Sequence, residues 1–366
     1  MTRKISELTK AEEERALELH RKCIFINCLD ATSLFVFDND LLDRAIKQGG
    51  VTAANKTVVG SELQTQKYSR MTMDLSAVYK KFADYHLFFD DYSHRVIQVL
   101  HAEDIKRAKK EGKYGIIMGL QGAVPGGGVN NMEHIANVKA LHTLGLRIYQ
   151  LSYNYRSVLA DGCVEKADAG LSELGRQVVE YCNKIGIVVD LSHVGYTSTM
   201  ETIEISKQPV IFSHANAYAL YPIPRNKKDD QIKALAKKGG VIGVVGYVSC
   251  VSAKDEPTIE DLLDHLDYIV KLVGPDYVGI GLDYPEHYDI SPEWKTLSAE
   301  VFSPAYGKVG ITPGHQKMKA MIVKGLSSFA EFPNITRGLV ARGYSDKDIE
   351  KILGLNFLRV FEQVWK

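Results

Sequence analysis

No stretch of the chain approaches the roughly 18 consecutive apolar residues that a membrane span requires. The charged first 23 residues lack the apolar centre of a secretory signal, and the ending "RVFEQVWK" is no lipid-anchor tail. Neither sign of charge prevails: 45 Lys and Arg face 45 Asp and Glu, so no global field draws in nucleic acid or an anionic membrane. Cysteines are few, odd in number (five) and scattered at 23, 28, 163, 182 and 250 without a CxxC. That usage fits a reducing compartment, and a cytoplasmic location is the expectation.

What is present is a rhythm. Apolar runs at 24–29, 114–120, 146–151, 186–191, 210–213, 241–247 and 277–282 alternate with helical text at 133–144, 172–184, 229–238 and 259–272. Continuous apolar strands signal burial on both faces, as in a parallel sheet. Seven strands alternating with helices predict an α/β fold, a (β/α)8 TIM barrel, with the eighth strand placed at 334–336; a doubly wound sheet is the second choice. The units fill residues 1–366 as a single domain. An N-terminal helix over 1–22 opens it, where Thr9 and Glu12 have the spacing of a capping box. Two segments exceed ordinary crossovers: 31–113, expected to add helices, and 284–332, expected to form a lid loop over the C-terminal mouth.

Barrels of this class place chemistry at the C-terminal ends of their strands. Those positions carry Cys28, Asp30, Gln121, Tyr153, His193, His214 and Asp283. Strict alternation puts Cys28 and Asp30 on one face, either as two metal ligands or as a buried small residue beside a turn-starting aspartate. Two histidines directly after apolar strands, in "VVDLSHV" and "PVIFSHA", are the sharpest signal. Imidazole nitrogens with a nearby carboxylate suit zinc and proton transfer.

Four long segments carry a family resemblance: "GLSELGRQVVEYCNKIGIVVDLSHV", "PVIFSHANAYAL" with "IPRN", "LDYIVKLVGPDYVGIGLDY" and "NITRGLVARGYSDKDIEKILGLNFLRVF". From about Cys23 to its end the chain resembles the renal, or membrane, dipeptidases, metal-dependent barrels related to the amidohydrolases. The resemblance implies a binuclear zinc site and hydrolysis of dipeptides, with tolerance for a D-residue on the C-terminal side. It implies metal ligands at Asp30, His193 and His214, a proton shuttle at Asp283 and a substrate-carboxylate grip at Arg225. It also implies that two chains can pair.

Three positions depart from the family pattern. Cys28 stands where the strand-one histidine is expected, Gln121 replaces the bridging glutamate, and Tyr153 replaces a substrate-holding histidine. A metal-bound thiolate at Cys28 restores the charge lost at Gln121, but an amide cannot bridge two dications as a carboxylate does. One zinc is therefore expected rather than two, with two metals in an altered site and a metal-free barrel as the other outcomes.

The resulting expectation is a zinc-dependent dipeptidase-like hydrolase. Metal-bound hydroxide attacks a small amide, Asp283 moves the proton, Tyr153 steadies the oxyanion and Arg225 binds the substrate carboxylate. The competing readings are a repurposed non-hydrolytic barrel enzyme (isomerase, epimerase or lyase) and a metal-poor, inactive homologue. A nucleophilic role for Cys28, with His193 or His214 as base, is the least supported of these.

Overall fold

The computed structural model describes residues 3–59, 75–124, 131–284, 286 and 321–366. Most of the expected lid, including His287, lies outside them.

The opening helix, Lys10–Lys22, starts as its sequence predicts. The Thr9 hydroxyl accepts from the Glu12 amide, and the Glu12 carboxylate accepts from the Thr9 amide. The chain then enters β1 (Ile26–Asp30) and continues through β2 (Ala53–Val59), β3 (Val96–Gln98), β4 (Tyr114–Gln121), β5 (Leu146–Gln150), β6 (Val188–Asp190), β7 (Ile211–Phe212), β8 (Val241–Val244) and β9 (Val278–Ile280). All pairings between these strands are parallel. β1 pairs with both β2 and β9, and β2 pairs with β4, so eight strands close into a barrel. β3 is an extra edge piece against the first residues of β4. The TIM barrel expected from the sequence is the fold observed.

One assignment is corrected. Residues 334–336 are not the eighth strand; they belong to the helix Pro333–Ala341, which proline opens at its first turn. The missing strand is β2, inside the segment read as an oversized crossover. Its text, "AANKTVV", begins on two alanines and carries Asn55 and Lys56 at its centre, so it lacks the apolar continuity of its neighbours.

Along β4, Tyr114, Ile116, Met118 and Leu120 pack outward against the helices. Ile117 points inward to meet Ile26, Ala53, Ile148, Val188, Ile211 and Val241 from the early part of the other strands. Burying each of these isoleucines and valines contributes on the order of 1.5–3 kcal/mol. The final helix, Asn356–Val364, closes this end of the barrel with Phe357, Phe361 and Val364. A side chain at Gly279 would begin 2.4 Å from the Phe357 ring, so only glycine lets that ring approach β9. Gly119 plays the same part for Asn55, whose carboxamide oxygen lies 2.1 Å from where a Cβ would stand.

Candidate functional site

The open end of the barrel collects polar residues from several strands. Asp190, the last residue of β6, is buried and accepts four hydrogen bonds. These come from the Ser192 amide (3.0 Å) and hydroxyl (2.6 Å) and the Ser213 amide (2.9 Å) and hydroxyl (2.6 Å). Asp190 thus ties together the two Ser-His turns that follow β6 and β7. With the Ser213 proton given to Asp190, the Ser213 oxygen is the acceptor for His214 Nδ1 at 2.7 Å. On the next turn, His193 Nδ1 donates to Asn154 Oδ1 at 2.6 Å.

Both imidazoles therefore carry their proton on Nδ1. Their bare Nε2 atoms face each other 2.9 Å apart. Burial first, then the positive Arg225, holds both histidines well below the usual imidazole range, so they are neutral. Two converging lone pairs repel unless an electrophile sits between them. Outer hydrogen bonds that fix the tautomer and present Nε2 are how metal-binding histidines are oriented.

Other expected residues join this cluster. The Tyr153 ring stacks on His193, with centroids 3.9 Å apart. Arg225 is buried and donates to the carbonyls of Ser192 and His214. Among the described residues no carboxylate forms an ion pair with it. Asp283 follows β9, anchored by its amide on the Leu29 carbonyl, with φ of 54°. Burial pushes its carboxyl up to about 6 against the opposing pull of Arg225, and Asp30 adds to the rise. Asn154, at 59°, is the other non-glycine residue with positive φ among the described residues. Both left-handed residues thus lie in the site, where backbone strain tends to concentrate.

The strand-one side is arranged differently. Three steps along β1, from Asn27 to Asp30, face two along β2, from Ala54 to Lys56, which marks a bulge. The bulge breaks the alternation that would have put Cys28 and Asp30 on one face. Cys28 packs inward with Ile26 and Ala53, fully buried, and burial with Asp190 nearby raises its thiol well above the usual range. A thiol kept protonated is a poor nucleophile, so the nucleophilic reading of Cys28 is not supported. Asp30 meets Lys56 and Tyr114, whose neighbours Ala54 and Ile116 belong to the layer under the helices. Gln121 is buried at the end of β4, and its Nε2 has no hydrogen-bond partner among the described residues.

Among the described residues, no three His, Cys, Asp or Glu side chains converge as a set able to hold a cation. The structure thus brings His193, His214, Tyr153 and Arg225 together, with Asp283 within electrostatic reach of Arg225 and Asp30, while Cys28 packs inward near Asp190 and Asp30 turns to Lys56. The paired imidazoles offer two nitrogen donors to a metal ion. The amide of Gln121 lacks the second anionic oxygen with which a carboxylate bridges two cations, and Asp30 already has the ammonium of Lys56 beside it. Asp190, Asn154 and Lys56 escaped the sequence reading. The repeated Ser-His after β6 and β7 was the signal that could have drawn attention to Asp190.

The comparisons agree with this architecture. The family model described as membrane dipeptidase (Peptidase family M19) matches residues 38–303 and 304–366. Dipeptidase tcpJ of Claviceps purpurea (strain 20.1) is 30% identical over 277 residues, which are 75% of this chain and 56% of that protein. The chain therefore spans little more than half the length of that relative. An amidohydrolase from Pseudomonas aeruginosa superposes with a TM-score of 0.80 at 30% identity, covering 96% of this chain and 99% of that one. A metallo peptidase from Rhodobacter sphaeroides, solved with a phosphinate mimic of the dipeptide L-Ala-D-Ala, shares the fold at 20% identity. Its TM-score is 0.73, with 94% of this chain and 99% of that chain covered. With matched segments running from residue 38 to the end, this chain belongs to the membrane dipeptidase family, Peptidase family M19.

Proposed function

We propose that the protein is a hydrolase of dipeptides or closely related small amides that bear a free carboxylate, working with one zinc ion. The observation that carries this reading is the pair of bare imidazole nitrogens, 2.9 Å apart. Zinc bound there by His193 and His214 would act as a Lewis acid toward the scissile amide.

The remaining work falls to the chain itself. Arg225 is a buried guanidinium without a carboxylate partner among the described residues, and such a group favours an incoming anion. A substrate carboxylate supplies that charge and orients the amide toward the histidines. Asp283 accepts a proton from the attacking water and returns it to the leaving amine. A carboxyl poised at about 6 exchanges a proton at neutral pH more readily than an ordinary aspartate. The ring of Tyr153 stacks on His193, and its phenol would donate to the developing oxyanion. The buried Nε2 of Gln121 suits a substrate oxygen better than it suits a metal.

A panel of L,L- and L,D-dipeptides, assayed with zinc and with chelator, tests the proposal. Zinc-dependent release of free amino acids from at least one class is the expected result. Absence of hydrolysis across the panel at all zinc concentrations overturns it.

A further inference from the structure

Lysine is rarely buried completely, yet Lys56 has no exposed surface and sits at the centre of a barrel strand. Its Nζ lies 3.0 Å from Asp30 Oδ1 and donates to the Thr32 carbonyl at 2.6 Å. The face of Phe37 is 4.4 Å away. Two oxygen acceptors and one aromatic face occupy the three donor directions of an ammonium. Asp30 is equally committed: Oδ1 also accepts from the Thr32 amide at 2.8 Å, and Oδ2 from the Tyr114 hydroxyl at 2.7 Å. Three of the roughly four lone-pair positions of the carboxylate are thereby used.

We propose that Lys56 is a resident cation that stands in for a metal ion at the strand-one carboxylate, so that the barrel mouth accepts at most one metal. The inference rests on the preceding reading only for the location of that one metal, at His193 and His214. The neighbouring substitutions agree with it. The amide of Gln121 at the bridging position and the buried, protonated Cys28 thiol each take an anionic donor away from a second dication. An ammonium requires neither, because it is covalently attached and needs a single counter-charge. The β1 bulge completes the arrangement by turning Asp30 toward Lys56 and away from Cys28.

The test uses the full chain. Purified protein is saturated with zinc, desalted and analysed for bound metal, and melting is followed in EDTA for wild type, Lys56→Met and the Asp30→Asn/Lys56→Met pair. Wild type should retain no more than one equivalent. Lys56→Met should melt lower by more than about 5 °C, because it strands a buried carboxylate. The double variant should recover most of that loss, since neither charge is then buried alone. If Lys56→Met does not fold, a folded double variant supports the inference in the same way. Two tightly held zinc equivalents in wild type overturn the inference. So does Lys56→Met melting like wild type, or a double variant no more stable than Lys56→Met. Zero equivalents would remove the zinc from the proposed function and leave Lys56 as the internal cation; two equivalents with hydrolysis would do the reverse.

Discussion

The two sides of the barrel mouth are built from similar residues to opposite electrostatic ends. On the side formed by β6 and β7, a buried carboxylate, Asp190, works through serine hydroxyls to leave imidazole lone pairs uncovered. On the side formed by β1 and β2, the buried carboxylate Asp30 is itself covered by an ammonium, a phenol and a backbone amide. A buried anion can thus orient a pair of nitrogen donors at one remove or be consumed by a cation already in the chain. The inventory of residue types does not distinguish the two. The hydrogen bonds do.

Substitutions on the two sides should separate these roles. The largest effect is expected from Asp283→Asn, which keeps the shape and the left-handed backbone that asparagine tolerates but removes the base. Dipeptide turnover, measured as kcat, should fall by about 10²–10⁴-fold with KM little changed; turnover near wild type would exclude Asp283 from proton transfer. The wild-type profile bears on the same group. A base with its pKa at about 6 loses activity as pH falls through that value, so kcat/KM should decline on an acid limb centred there. A limb near the ordinary aspartate range would mean that burial does not perturb the group.

A smaller effect is expected on zinc affinity from Asp190→Asn, which would act on the proposed zinc indirectly, through Ser192 and Ser213 of the two Ser-His turns. Dissociation of zinc, followed by competition with a chromogenic chelator, should be about 10–100-fold easier. An unchanged affinity would sever the relay from the histidines. Tyr153→Phe should give the mildest result, a severalfold fall in kcat at constant zinc content, because one neutral donor is lost while the stacked ring remains. If zinc content falls instead, the ring serves to hold His193 and the oxyanion role goes.

The contrast also accounts for what the sequence made legible. Strands with continuous apolar text were visible because both of their faces are buried, and His193, His214 and Asp283 stand just beyond three of them. β2 stayed hidden because its centre is Asn55-Lys56, which reads as a solvated loop. The counter-charge of Asp30, 26 residues earlier in the chain, together with Thr32 and Phe37, makes such a lysine compatible with a barrel wall. The relation of Cys28 to Asp30 was misread for a related reason. A bulge adds one residue to a strand and reverses every alternation after it, yet the apolar pattern of β1 does not record it. Asn154 and Asp190 were missed because they act on histidines rather than resembling ligands themselves.

The packing of Phe357, Phe361 and Val364 under the strands has a consequence for traffic through the barrel. With that floor stoppered, the interior is a cul-de-sac, and under the proposed hydrolysis both fragments would depart by the doorway through which the whole molecule arrived. The fragment that keeps the carboxylate leaves last if Arg225 holds it, so its accumulation should slow the next arrival.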